Sequence, residues 1–67
     1  MKLSARNQLA GKIVGVQNGQ TTAHIRIDVG GTIITASITN EAVDDLGLKV
    51  GDQASAIIKS SDVIIGK

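Results

Sequence analysis

The most regular pattern in the chain runs from Thr22 to Val29, where Ala23, Ile25, Ile27 and Val29 alternate with Thr22, His24, Arg26 and Asp28. A period of two with one apolar side marks a strand buried on one face. Gly30-Gly31 fits a two-residue hairpin loop, after which "TIITASI" (Thr32–Ile38) returns antiparallel. Upstream, "LAGKIVGV" (Leu9–Val16) reads as a strand with Leu9, Gly11, Ile13 and Gly15 on one face and Ala10, Lys12, Val14 and Val16 on the other. Its two glycines point to a bend or a close backbone approach. The intervening "QNGQ" (Gln17–Gln20) is a turn, its Asn-Gly pair tolerating positive φ.

The period changes between Thr39 and Gly47. In "TNEAVDDLG", Thr39 or Asn40 can cap a short helix, Glu41 suits its first turn, Val43 and Leu46 lie three apart on one face, and Gly47 can end it. Two more strands follow, Gln53–Lys59 and Asp62–Ile65. Three strands, a short helix and two strands give an all-β chain with one helix, in the order of an OB-like five-stranded Greek-key barrel. With no repeat, linker or low-complexity segment, residues 1–67 read as a single domain.

Composition adds a problem of burial. The chain has 67 residues, 42% of them hydrophobic, but no Phe, Tyr or Trp, so the core must come from Ile, Val, Leu and Ala. A chain this small has a high ratio of surface to volume and leaves part of that aliphatic content exposed, which predicts burial between subunits of an obligate oligomer. The absence of Cys removes disulfides and thiolate metal sites, and the lone His24 cannot build a metal site by itself. No apolar run reaches signal-peptide or membrane-span length, so the expected compartment is the cytoplasm, with no membrane partner.

Seven Lys and Arg against six Asp and Glu leave a net charge of +1, scattered along the chain. That balance argues against a nucleic-acid grip, and OB folds that hold single strands stack bases on aromatic side chains this chain lacks. Catalysis has less support: His24 has no Ser and acid partners by motif, and Asp44-Asp45 reads as an exposed helix face. The chain reads as a binder, not an enzyme.

The binding chemistry lies in three donor-rich groups: "SAR" (Ser4–Arg6), Thr39-Asn40 and "KSS" (Lys59–Ser61). All fall at the ends of regular elements, where backbone N–H groups lack partners. Arg supplies a planar fork of donors, Lys a point charge, and Ser and Thr hydroxyls that donate to an oxyanion. Together they suit a small, doubly charged tetrahedral anion. Taken singly, each group is also ordinary solvated surface, and Thr39 alone is an ordinary helix cap. Asp62, next to "KSS", would have to point away from such an anion or pair with a cation. The row Thr22, His24, Arg26 and Asp28 suits the solvated side of a strand, or, in a sharper reading, part of it lines a symmetry axis between subunits.

"SARNQLAGKI" (Ser4–Ile13) closely resembles the opening signature of the molbindin family, the molybdate-binding or Mop domains once described as molybdenum-pterin-binding proteins. "ITNEAVDDLGLKVGDQASAIIKSSDVII" (Ile38–Ile65) is similar to the later half of that family, so the resemblance covers nearly the whole chain. It implies an OB-like subunit that exchanges strands with a neighbour and assembles as a hexamer, a trimer of dimers. It also implies storage of molybdate or tungstate at subunit interfaces, as bound ligand and not as cofactor. Carried over by position, the oxyanion ligands are Ser4 and Arg6, the backbone N–H groups around Ala5 and Arg6, Thr39, Lys59 and the Ser60-Ser61 segment. Family members also hold oxyanions on the three-fold axis; Gln20, Thr22 and His24, near a strand end, are the candidates for that second site. A pterin would be gripped by stacking, for which no aromatic is present. The alternative from another class is a structural or protein-interaction module whose anion binding is incidental.

Overall fold

The alternating segment forms the middle of the sheet. In the computed structural model, which describes residues 1–67, β2 (Thr22–Asp28) lies between β1 (Asn7–Asn18) and β3 (Ile33–Thr39), and β4 (Gln53–Ile58) pairs with the other side of β1. All three pairings are antiparallel and the order is β3-β2-β1-β4. Ala23, Ile25 and Ile27 are buried on the inner face while Thr22, His24 and Arg26 are exposed on the outer one. The β2–β3 loop is the expected two-residue turn. Gly30 and Gly31 both have positive φ, 86° and 98°, and Val29 N–H donates to Thr32 O at 2.9 Å. This matches the right-handed twist of the strands and is disfavoured for residues with a Cβ.

The strand β1 is shared. Its N-terminal half pairs with β4, from Asn7 with Ile58 to Lys12 with Gln53. Its C-terminal half pairs with β2, from Lys12 with Asp28 to Asn18 with Ala23. A bulge between Ile13 and Gly15 shifts the register, so Ile13 faces Ile27 whereas Gly15 faces Arg26 and Val16 faces Ile25. The unbroken alternation expected for Leu9–Val16 is therefore corrected: Ile13 points inward, but Gly15 lies under the exposed Arg26 and Val16 packs on the core. The extra residue of a bulge reverses the facing of everything beyond it and bends the strand. At Gly11 the close approach expected from the sequence is present, since a Cβ there would collide with the carbonyl of Asp28.

The helix α1 (Asn40–Leu46) follows β3. Thr39 caps it: its backbone is extended, and its Oγ1 accepts from Ala42 N–H at 3.1 Å. Gly47 ends it in the left-handed region at φ 62°. At seven residues, α1 is too short to cross a membrane. Val43 plugs the inner face of the sheet, joining Ile13, Ala23 and Ile25, with Val16, Ala36, Ile38, Leu48 and Ala54 around them. The chain is thus mostly β with one short helix, in an OB-like curled sheet.

The expected fifth strand is not formed. Ser60–Asp62 makes a 3-10 turn, and the residues after it lack a ladder partner, with Ile64 and Ile65 92% and 86% exposed. A strand needs a neighbour for its N–H and C=O groups, and within one chain this segment leaves the sheet without meeting one. The barrel consequently stays open between its edge strands, β3 and β4.

Candidate functional site

The β1–β4 ladder decides where two of the three donor groups lie. Its last pair is Asn7 with Ile58. Just outside the two strand ends stand Arg6, before β1, and Lys59, after β4; beyond them come Ser4 and Ala5, and Ser60 and Ser61. "SAR" and "KSS", separated by more than fifty positions in the sequence, therefore leave the same end of the sheet side by side. Arg6, Lys59, Ser4, Ser60 and Ser61 are exposed, and Ala5 is half-buried. The Asn7 Nδ2 donates to Ile58 O at 3.1 Å across the final rung, and Gln8 Nε2 approaches Ala5 O at 3.4 Å where the chain bends at Ser4. Past Lys59 the 3-10 turn closes with Asp62 N–H to Lys59 O at 2.9 Å. The opening N–H groups of such a turn have no partners within it. That end of the molecule offers cations, hydroxyls and backbone N–H groups together.

Thr39 lies elsewhere. It pairs with Thr22 where β3 ends, beside the C-terminal end of β1, whereas Arg6 and Lys59 sit at the N-terminal end of β1. Within one chain the three groups do not converge. The cap contact uses a lone pair of Thr39 Oγ1 and leaves its O–H free to donate. Asn40 locks this corner by donating from its backbone to Thr21 O at 2.9 Å and from Nδ2 to Gly19 O at 3.0 Å.

Near the same corner is a polar cleft of about 220 Å³ lined by Gln17, Asn18, Gly19, Thr22 and His24. Two of the residues suggested for a second site, Thr22 and His24, meet there; Gln20 does not line it. The sequence places Gln17 and Asn18 in a turn, but β1 runs through both, and the register sets Gln17 opposite His24. The outward alternation of β1 beyond the bulge would have found Gln17, had the bulge been legible.

The inner face carries a larger, apolar groove of about 490 Å³. Ile34, Ala36 and Ile38 of β3 line one side and Ala54, Ala56 and Ile58 of β4 the other, with Ile25 and Ile27 on its floor. Leu46, expected to share the buried face of Val43, overhangs this open groove and is 68% exposed. Its two polar lining residues are Thr35 and Ser55, and no cation lines it.

Known proteins share this fold. A family model described as TOBE domain matches residues 3–65. A probable molybdenum-pterin-binding protein of Haemophilus influenzae is 46% identical over 67 residues, which are 98% of this chain and 97% of that protein. A molybdate-binding protein from Sporomusa ovata superposes with a TM-score of 0.95 at 36% identity, with 100% of both chains covered. The cytoplasmic molybdate-binding protein ModG, solved with molybdate bound, gives a TM-score of 0.92 at 48% identity, over 96% of this chain and 46% of that one. All three relatives are named for what they bind.

Proposed function

This chain belongs to the TOBE domain family, and from that premise we propose that it binds and stores molybdate or tungstate at interfaces between its own copies, without catalysing a reaction. The observation that carries this reading is the end of the β1–β4 ladder, from which Arg6 and Lys59 emerge as neighbours. Two adjacent cations repel one another unless an anion lies between them, and two positive charges balance a dianion. Ser4, Ser60, Ser61 and the N–H groups around Ala5 and Arg6 then satisfy its oxygens through charge-assisted hydrogen bonds. The Sporomusa ovata protein is named for molybdate and ModG was solved with molybdate bound, while the name of the Haemophilus influenzae relative shares the element molybdenum.

A donor-only site also selects by protonation. A fully deprotonated oxyanion only accepts hydrogen bonds, whereas the O–H of hydrogen phosphate would face donors and find no acceptor. Sulfate has the charge and shape of molybdate, so discrimination against it rests on the dimensions of the closed site.

The position of Thr39 supports assembly. If Thr39 serves the same anion as Arg6 and Lys59, it comes from a neighbouring copy, because its own chain holds it at the other end of β1. The open apolar groove and the bare Val63–Ile65 segment support strand exchange between subunits. A hexamer built as a trimer of dimers is the assembly we propose, with the Thr22–His24 cleft at a symmetry axis as a second class of site. The cytoplasm, where ModG is described, is the proposed compartment.

The test is a calorimetric titration of anion-free protein with molybdate in buffer already holding a large excess of sulfate. Saturable binding near one anion or more per chain is expected, and Arg6→Ala should abolish it while leaving the oligomer intact. Heat that sulfate abolishes, or an Arg6→Ala protein that binds as tightly as the parent, would overturn the reading in favour of an interaction module.

A further inference from the structure

Asn7 departs from the pattern of its strand. It occupies the alternation row of Leu9, Gly11 and Ile13, the row that faces inward before the bulge, and it is half-buried there. A polar amide in such a place costs stability unless it is hydrogen-bonded, and its one bond goes to a single acceptor, the carbonyl of Ile58 at 3.1 Å. We infer that Asn7 is the positioning residue of the anion site, setting the orientation of Lys59 relative to Arg6 through that bond. The inference rests on the functional reading above.

The peptide unit is planar, so the C=O of Ile58 and the N–H of Lys59 belong to one rigid plate and point in opposite directions. A donor that holds the oxygen of Ile58 therefore fixes the direction of the Lys59 N–H and the course on which the chain enters the 3-10 turn. The other end of the same bond is the side chain adjacent in sequence to Arg6. One hydrogen bond thus ties together the two backbones that carry the two cations, at the rung where the ladder ends and fraying would begin. Gln8 adds a longer contact of 3.4 Å to Ala5 O at the bend that turns Ser4 toward the same end, and being exposed and near the limit of a hydrogen bond it contributes little. In "RNQ", Arg6 supplies charge and Asn7 supplies position.

The experiment compares Asn7→Leu, close in shape but without a donor, and Asn7→Ser, whose short hydroxyl does not reach across the rung, with the parent and Arg6→Ala. The full-length proteins are freed of anion and titrated calorimetrically with sodium molybdate, then with sodium sulfate; melting temperature and oligomer mass are measured without anion. Orienting partners of ligand groups typically carry effects of about tenfold or more. The expected result is a loss of at least tenfold in molybdate affinity in both variants. The ratio of molybdate to sulfate affinity should fall, with the assembly and the anion-free melting temperature close to the parent. A lowered melting temperature with an unchanged affinity ratio in Asn7→Ser would show a merely structural bond and overturn the inference. An Arg6→Ala protein that still binds like the parent would overturn the site on which it rests.

Discussion

At the scale of single residues, Thr39 shows how one hydroxyl can have two duties. Its Oγ1 accepts from Ala42 N–H and so caps α1, a contact whose loss typically costs about 1 kcal/mol. Thr39→Ala should lower the stability of anion-free protein by about that amount in urea melts and weaken molybdate binding as well. If the site is shared between copies, Thr39→Ala and Arg6→Ala proteins mixed in one assembly should recover part of the binding, because some interfaces then carry both native groups. Thr39→Ser, which keeps the hydroxyl, should restore both properties. Arg6 differs: it is exposed and its removal leaves the fold alone, so its effect should appear in the titration and not in the melt.

At the scale of elements, the decisive feature is the bulge in β1. One strand serves two partners, pairing with both at Lys12, and the register shift between Ile13 and Gly15 falls just past that point, where β1 passes from β4 to β2. Deleting Val14 would remove the extra residue, so that Gly15 follows Ile13 on the outer face and Val16 on the inner one, the same facing without the bend. That protein should still unfold cooperatively but at a lower urea midpoint, because the bend in β1 is lost while the core residues keep their face; near-ultraviolet-silent as the chain is, far-ultraviolet circular dichroism during a urea titration is the measurement to use. Most element boundaries were legible beforehand: β2, its Gly-Gly turn, and α1 from its Thr39 cap to Gly47 all follow from local pattern and capping chemistry. The bulge was not, since "KIVGV" alternates as well without it as with it, and only pairing with β2 shows which residue is extra. Asp62–Ile65 was misread for the opposite reason. Its apolar composition suits a strand, but pairing requires an edge that its own chain does not bring to it.

For the whole molecule, the issue is a shortage of interior. Five of 67 residues are buried, and Leu46, Val50, Ile64 and Ile65 remain largely exposed. A small aliphatic chain in that condition is stabilised by association, and a folded state maintained by association melts at a temperature that rises with protein concentration. Calorimetric scans over a hundredfold range of concentration should show that rise. Ile65→Asp, which places a charge in the bare segment proposed for strand exchange, should lower the melting temperature and the oligomer mass together. Anion binding should stabilise further, by about 2.7 kcal/mol when free molybdate is a hundred times its dissociation constant.

The sequence by itself determined most of the elements and the kind of chemistry its donors can do. Alternation, glycine turns and a capped helix are written in neighbouring residues, and a set of Arg, Lys and hydroxyl donors without aromatics, cysteine or excess charge suits a small anion better than a nucleic acid or a pterin. The tertiary structure alone decided who meets whom. Strand register brought Arg6 and Lys59 to one end of the sheet and held Thr39 at the other; a bulge chose which face Val16 and Gln17 would serve; the curl of the sheet left a groove that one chain does not fill. Each depends on contacts between residues far apart in sequence, and such contacts are set by the geometry of pairing and packing, not by local composition.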